Sequence, residues 1–204
     1  MNIFKMIPRG VGANSYILTA DGKAAVVIDP STKTVVEKVI EQGLQVQYVL
    51  LTHVHYDHVA VCEILQQMGA KVICSQQEKE LAGTYADLHE LFGAEQPNYT
   101  VDETVEDGEV RTLCGMEFTA VLTPGHTAGS TTYLLRDKWK IRLFTGDTLL
   151  QGSIGRTDFP TGNMPDLTRS LRKLLTMDGI VHSGHGEDTT IERERAENPF
   201  LRGL

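Results

Sequence analysis

Apolar residues along this chain fall into short runs whose period changes from one run to the next. NIFKMI, NSYILT and AAVVID each read as a strand, and Asp21-Gly22 between the last two has the composition of a tight hairpin turn. A helical period follows from about Thr32, with Val35, Val36, Val39 and Ile40 on one face and Gly43 as its stop. VQYVLL (46–51) is a continuous apolar run, the pattern of a strand buried on both faces. Val61, Ile64, Leu65 and Met68 recur at i, i+3, i+4 and i+7, which predicts a second helix ending at Gly69, and KVIC (71–74) predicts the next strand. A helical region is predicted over Gln76 to Phe92.

The polar stretch AEQPNYTVDETVEDGEV reads as a loop between the two halves, with no linker character. Beyond it, EVRTL, MEFTAVLT, STTYLLR and KIRLFTG read as strands. An amphipathic helix is predicted from Pro165, presenting Leu167, Leu171, Leu174 and Leu175. A short strand at Gly179 to His182 then leads to a final helix near Thr189 to Ala196, where Thr189 and Glu192 have capping-box spacing. The expected architecture is α/β in one domain over residues 1–204, with two layers of sheet and helices outside them.

Composition adds exclusions. Hydrophobic residues at 41% and charged residues at 23% suit an ordinary globular core. With a net charge of -8 and no Lys/Arg block, nucleic acid is not an expected partner. No segment approaches the roughly 20 apolar residues of a membrane span. The N-terminus MNIFKMIPRG lacks the apolar run of a signal peptide. Cys62, Cys74 and Cys114 are odd in number and form no CxxC pair, so buried free thiols and a cytoplasmic address are expected.

The candidate chemistry sits in LTHVHYDHVA, where His53, His55, Asp57 and His58 crowd together just past a predicted strand. Protonated imidazoles repel one another, and a cation that binds their neutral nitrogens removes that penalty. Three further candidates follow apolar runs in the same way: His126 in TPGHTAGS, Asp147 in TGDTLL and His185 in SGHGED. A rigid strand fixes the position of such residues while the loop lets them converge. His53 and His55, at i and i+2, point the same way on an extended segment and with His126 make a three-nitrogen pocket. Asp57, His58 and His185 make a second, and Asp147 has an oxygen for each. An open position left for water is the plan of a catalytic site. His89 reads as a surface residue and His182 as packing behind the site.

HVHYDH, TPGHT, TGD and GHG, in that order, resemble the metallo-β-lactamase superfamily over nearly the whole chain. GDTLLQGSIGRTDFP is similar to the hydroxyacylglutathione hydrolase (glyoxalase II) branch, in particular its compact bacterial members without an extra helical domain. The resemblance implies an αββα sandwich and two divalent metal ions, zinc foremost with iron or manganese as options. It places His53, His55 and His126 on one ion, Asp57, His58 and His185 on the other, and Asp147 between them. Ions about 3.5–4 Å apart lower the pKa of a shared water towards roughly 7. Asp57 is then both ligand and orienting catalytic group. A thiolate, with a conjugate pKa of about 8.5, leaves without a general acid, so a small thioester such as S-lactoylglutathione is the expected substrate, and no GxSxG suggests a serine alternative. Arg156 either contacts a glutathione carboxylate or bridges a glycine-rich loop. Asp158 and Glu187 stand where those enzymes place aromatic hydroxyls. RTDF also resembles persulfide dioxygenases, which implies the alternative of one ferrous ion on His53, His126 and Asp147. Oligomeric state is not legible.

Overall fold

The computed structural model describes residues 1–204. The first sheet holds β1 (Asn2–Met6), β2 (Ser15–Thr19), β3 (Ala24–Ile28), β4 (Gln45–Leu50), β5 (Lys71–Ser75) and β6 (Glu103–Val105), in that spatial order. Its helices are α1 (Lys33–Glu41), α2 (Tyr56–Val59), α3 (Cys62–Gln67), α4 (Gln76–Leu81) and α5 (His89–Phe92). The second sheet is built from β7 (Val110–Leu113), β8 (Met116–Leu122), β9 (Thr131–Asp137) and β10 (Lys140–Gly146). A small hairpin, β11 (Leu149–Leu150) and β12 (Ser153–Ile154), precedes α6 (Met164–Leu175). Then β13 (Ile180–Ser183) and β14 (Thr189–Thr190) complete the second sheet before α7 (Ile191–Glu197), giving the order β14-β13-β10-β9-β8-β7.

Side-chain parity on the strands sorts residues into three separate cores, and three cores require four layers. Ile17, Ala25, Val27 and Val49 face outward and pack with Val35 and Val39 of α1 and Leu65 of α3. Their neighbours Leu18, Val26, Ile28 and Leu50 face inward and meet Phe118, Ala120, Tyr133, Leu135 and Phe144 of the second sheet. On the far side, Val121, Leu134, Leu143 and Val181 pack with Leu167, Leu171 and Leu174 of α6 and with Ile191 of α7. The αββα sandwich follows from that alternation. No helix is long and apolar enough to cross a membrane.

Local expectations differ from the structure in several places. The loop between the halves contains β6, which pairs parallel with β5 and sends Val105 into the inter-sheet core; three residues are too few to show a period. The helical region Gln76 to Phe92 breaks into α4, a 3-10 turn (Tyr85–Asp87) and α5, because Gly83 and Leu88 are left-handed at φ 77° and 71°. Ile40 is 67% exposed, because α1 rests on its Val35–Val39 row. The last helix is capped by Thr190, which accepts from the Arg193 amide, while the Thr189 hydroxyl donates to Glu194 instead. Cys62 and Cys74 are buried free thiols, but Cys114 is only half-buried, in the tight β7–β8 turn at φ 48°.

Elsewhere the turn chemistry agrees. Asp21 Oδ1 accepts from the Lys23 and Ala24 amides, and Gly22 takes φ 75°. α6 begins behind Asn163, whose side chain caps the Asp166 amide, with Pro165 in its first turn.

Candidate metal centre

β8 and β10 both run antiparallel to the strand between them, and β13 runs parallel to β10. Their C-terminal ends therefore reach one edge of the second sheet, where the loop after β4 meets them. That geometry carries His126, Asp147 and His185 to His53 and His55, with Asp57 and His58 on the short turn α2. Ligand-capable atoms of His53, His55 and His126 lie within 4.8 Å of one another, as do those of Asp57, His58 and His185, and those of His53, His58 and Asp147. Asp147 sits between the groups: its Oδ1 is 3.5 Å from His58 Nε2, and its Oδ2 is 3.7 Å from His126 Nε2 and 3.3 Å from His185 Nε2. His185 Nε2 also lies 3.4 Å from Asp57 Oδ2.

The donor set fits a bound cation. His53 Nε2, His58 Nε2 and Asp147 Oδ1 are buried and have no hydrogen-bond partner, which is costly unless an ion takes their lone pairs. His126 Nε2 faces His55 Nδ1 at 3.0 Å, two ring nitrogens with room for one proton or one cation.

The outer ring nitrogens of His53, His58 and His126 are held from behind. His58 Nδ1 donates to Asp29 Oδ2 at 2.9 Å, and His126 Nδ1 donates to the Arg156 carbonyl at 2.8 Å. Thr52 Oγ1 donates to Asp29 Oδ2 at 2.7 Å, so its oxygen accepts from His53 Nδ1 at 3.0 Å. These bonds leave Nε2 of His53 and His126 as the nitrogens without a proton, and they aim Nε2 of His58 at the same space, ready for a metal once its proton leaves. Asp29 itself also accepts the Thr52 amide and adopts φ 50°, a left-handed conformation rare outside glycine. Glu78 is wholly buried and ties two ligand loops together: it accepts from the Val54 amide at 2.8 Å, the Gly129 amide at 3.0 Å and Thr127 Oγ1 at 2.5 Å. Gly184 lets the chain pass close to the site, since a Cβ there would strike Asp147 Oδ1 and lie 2.8 Å from His58 Cε1.

Electrostatics divide the ligands. Burial and the neighbouring rings push His55 down to about 3 and His53 well below its ordinary value. Burial opposes protonation of His58 as well, but Asp29, Asp147 and Asp57 outweigh it and push it up to about 9. Hydrogen bonds to Asp147 and Asp57 likewise overcome burial and carry His185 to about 10. Burial works against the charge on Asp147, yet His58 and His185 hold its carboxyl below the usual carboxylate range. Burial raises Glu78 to about 7 despite its three donors.

A cavity of about 330 Å³ opens over these ligands. Its apolar wall is Tyr56, Leu88, Phe92, Leu150, Ile154 and Phe159. Arg156 stands at the same cavity, exposed and bound through two 2.6 Å contacts to Asp158. His89 is buried rather than at the surface, its Nδ1 2.9 Å from Asp87 Oδ1 under the left-handed turn at Leu88. His182 packs behind the site, stacked on Phe144 and bonded to Asp188. Asp29, Thr52 and Glu78 escape a reading by motif. Asp29 closing the apolar run AAVVID is the one local signal among them.

Comparison with known proteins agrees with this geometry. The metallo-beta-lactamase superfamily profile matches residues 8–183. Hydroxyacylglutathione hydrolase GloC of Haemophilus influenzae is 37% identical over 201 residues, covering 92% of each chain. Among solved structures, the B3 metallo-β-lactamase BLEG-1 superposes with a TM-score of 0.91 at 30% identity, over 99% of this chain and 100% of the other. ETHE1 from Myxococcus xanthus gives 0.80 at 30%, over 100% and 85%, and TTHA1623 in a di-iron-bound form gives 0.82 at 29%, over 97% and 100%. Fold, strand-end ligands and profile converge on one conclusion: the chain belongs to the metallo-β-lactamase superfamily.

Proposed function

We propose that this protein is a dinuclear metallohydrolase that cleaves a small thioester, S-lactoylglutathione or a related S-acylglutathione, in the reducing compartment its three free cysteines suit. The observation that carries the reading is Asp147, whose two oxygens face the rings of both ligand groups. The relative named hydroxyacylglutathione hydrolase and the di-iron form of a structural neighbour support it. When bound, two divalent ions (zinc foremost, iron or manganese as options) supply a water acidic enough to ionise near neutrality and a Lewis acid for the carbonyl.

The chain's own groups do the rest. His53, His55 and His126 offer ring nitrogens on one side, and Asp57, His58 and His185 surround the other. Asp57 is partly exposed at the cavity, and its carboxylate holds and orients the attacking water. The apolar wall excludes bulk water from the reacting carbonyl. A thiolate leaving group needs no proton at the moment of departure, as its conjugate pKa is about 8.5.

A second reading is a mononuclear iron persulfide dioxygenase on His53, His126 and Asp147, favoured by the RTDF segment and the likeness to ETHE1. One pair of assays separates them. Metal-reconstituted protein is given S-lactoylglutathione with thiol release followed, and glutathione persulfide with oxygen uptake followed. Thiol release without oxygen uptake is expected; the reverse result selects the dioxygenase.

A further inference from the structure

The cavity mouth joins a continuous aromatic surface to a single, occupied cation. Phe159 meets the His55 ring edge-on at 5.8 Å, Phe92 meets Phe159 at 5.9 Å, and Tyr56 stacks on Phe92 at 4.9 Å and 21°. The rings thus lead from a metal-ligand histidine out to solvent, where Phe92 is 50% exposed. A lone exposed aromatic is commonplace, but a row of touching rings that begins at the candidate reaction centre forms a shelf for whatever part of a substrate leaves the pocket.

Arg156 is the only Lys or Arg lining that cavity. Its Nε and Nη2 each donate to Asp158 at 2.6 Å, and its guanidinium carbon lies 3.8 Å from the Phe159 ring centre. Fork and face of the guanidinium are both engaged within the loop. The Arg156 hydrogen bond holds the Asp158 carboxyl down to about 2, so the pair remains ionised and sums to zero charge through the neutral range. A carboxylate arriving at the mouth meets no Lys or Arg besides Arg156 and must compete with Asp158 for that guanidinium.

We propose that the substrate arm leaving the pocket is neutral and apolar, lying along Tyr56, Phe92 and Phe159, and that Asp158 sets this preference by keeping Arg156 paired. The proposal rests on the thioester chemistry proposed above and departs from it in the thiol arm, which is an apolar group in place of glutathione. It makes Asp158 a specificity determinant: the loop carries a guanidinium suited to an anionic arm, together with the carboxylate that masks it.

The test compares two thioesters with the same acyl group and different arms, S-benzyl thioacetate and S-acetylglutathione, on zinc-reconstituted protein of verified metal content. In the wild type the benzyl thioester is expected to show a KM about tenfold lower, the scale set by burying one ring. Phe92→Ala should raise the KM of the benzyl thioester, with the loss falling on KM more than on kcat. Asp158→Asn should lower the KM of S-acetylglutathione by about fivefold, the upper range for an exposed ion pair. That gain should fade at about 0.5 M salt, where the Debye length is only a few ångströms. Both positions are exposed, so neither variant threatens the fold. An equal or lower wild-type KM for S-acetylglutathione, or an Asp158→Asn variant that leaves that KM unmoved, overturns the proposal while the thioester reading stands. Cleavage of neither thioester by the metal-loaded protein overturns both.

Discussion

The two candidate ligand groups that face Asp147 differ in what surrounds them. Around His53 and His55 there is burial and other imidazoles, so protons are driven off and lone pairs stand ready. Around His58 and His185 the same burial is outweighed by Asp29, Asp57 and Asp147, and protons are held in place of a cation. The difference shows how one edge of a sandwich can build two unlike sites from one residue type. Carboxylates nearby decide whether a histidine waits empty or protonated.

Removing the group that faces both pockets should disable the two together. Asp147→Ala takes an oxygen from both pockets, and thioesterase activity is expected at background with the circular dichroism of the wild type retained. Most of the activity surviving would show that Asp147 does not serve both pockets.

Asp29→Ala comes next. It removes the acceptor of His58 Nδ1 and frees Thr52 from its bond, loosening His53 at second hand. Supporting residues of this kind are worth roughly ten- to a hundredfold in metal affinity or activity. A competitive chelator titration should show the larger loss in the second pocket, and equal losses would contradict the asymmetry.

The pockets should also part company with pH. His58 is raised from 6.5 to about 9 in the metal-free fold, so its stabilising contribution is complete below about 6.5 and is lost as pH rises through about 9. Binding at that pocket must displace the proton, and its affinity should climb over the same window by about tenfold per unit for each proton released. His53 and His55 are already deprotonated at neutrality, so they release nothing. Calorimetry of stepwise metal uptake in buffers of different ionisation enthalpy reads this directly. Proton release confined to the first ion bound at His53 and His55 would refute it.

The smallest effect belongs to Glu78, which braces the first pocket through Val54, Thr127 and Gly129. Glu78→Gln sets an amide donor against one of these donors, and should lower unfolding free energy by about 1–3 kcal/mol. Denaturant unfolding of the metal-free protein checks it; an unchanged midpoint would mean the brace is not needed.

The residues that gather at the candidate centre were legible in the sequence because they follow apolar runs where a strand gives way to a loop or turn, where a polar residue has no packing reason to sit. The layers were legible because β2, β3 and the C-terminal half of β4 are buried on both parities, which only doubly covered strands require. The supports were not. Glu78 acts on groups 24, 49 and 51 positions away, and Asp29 on Thr52 and His58, 23 and 29 positions away. Nothing in their own neighbourhoods announces a partner that only folding supplies. His89 misled for the same reason: its helical, charged context reads as surface, and the left-handed turn at Leu88 turns it inward. Arg156 shows the limit in another form. Its motif is visible in the sequence, whereas its pairing with Asp158 belongs to the loop's conformation.

Whether two unlike pockets hold two ions about Asp147 is read most directly from metal content by elemental analysis. At saturating metal and neutral pH the wild type should carry close to two ions per chain, and His58→Ala should lose occupancy chiefly from the second pocket, leaving His53, His55 and His126 loaded. At most one ion in the wild type, under those conditions, would contradict the account.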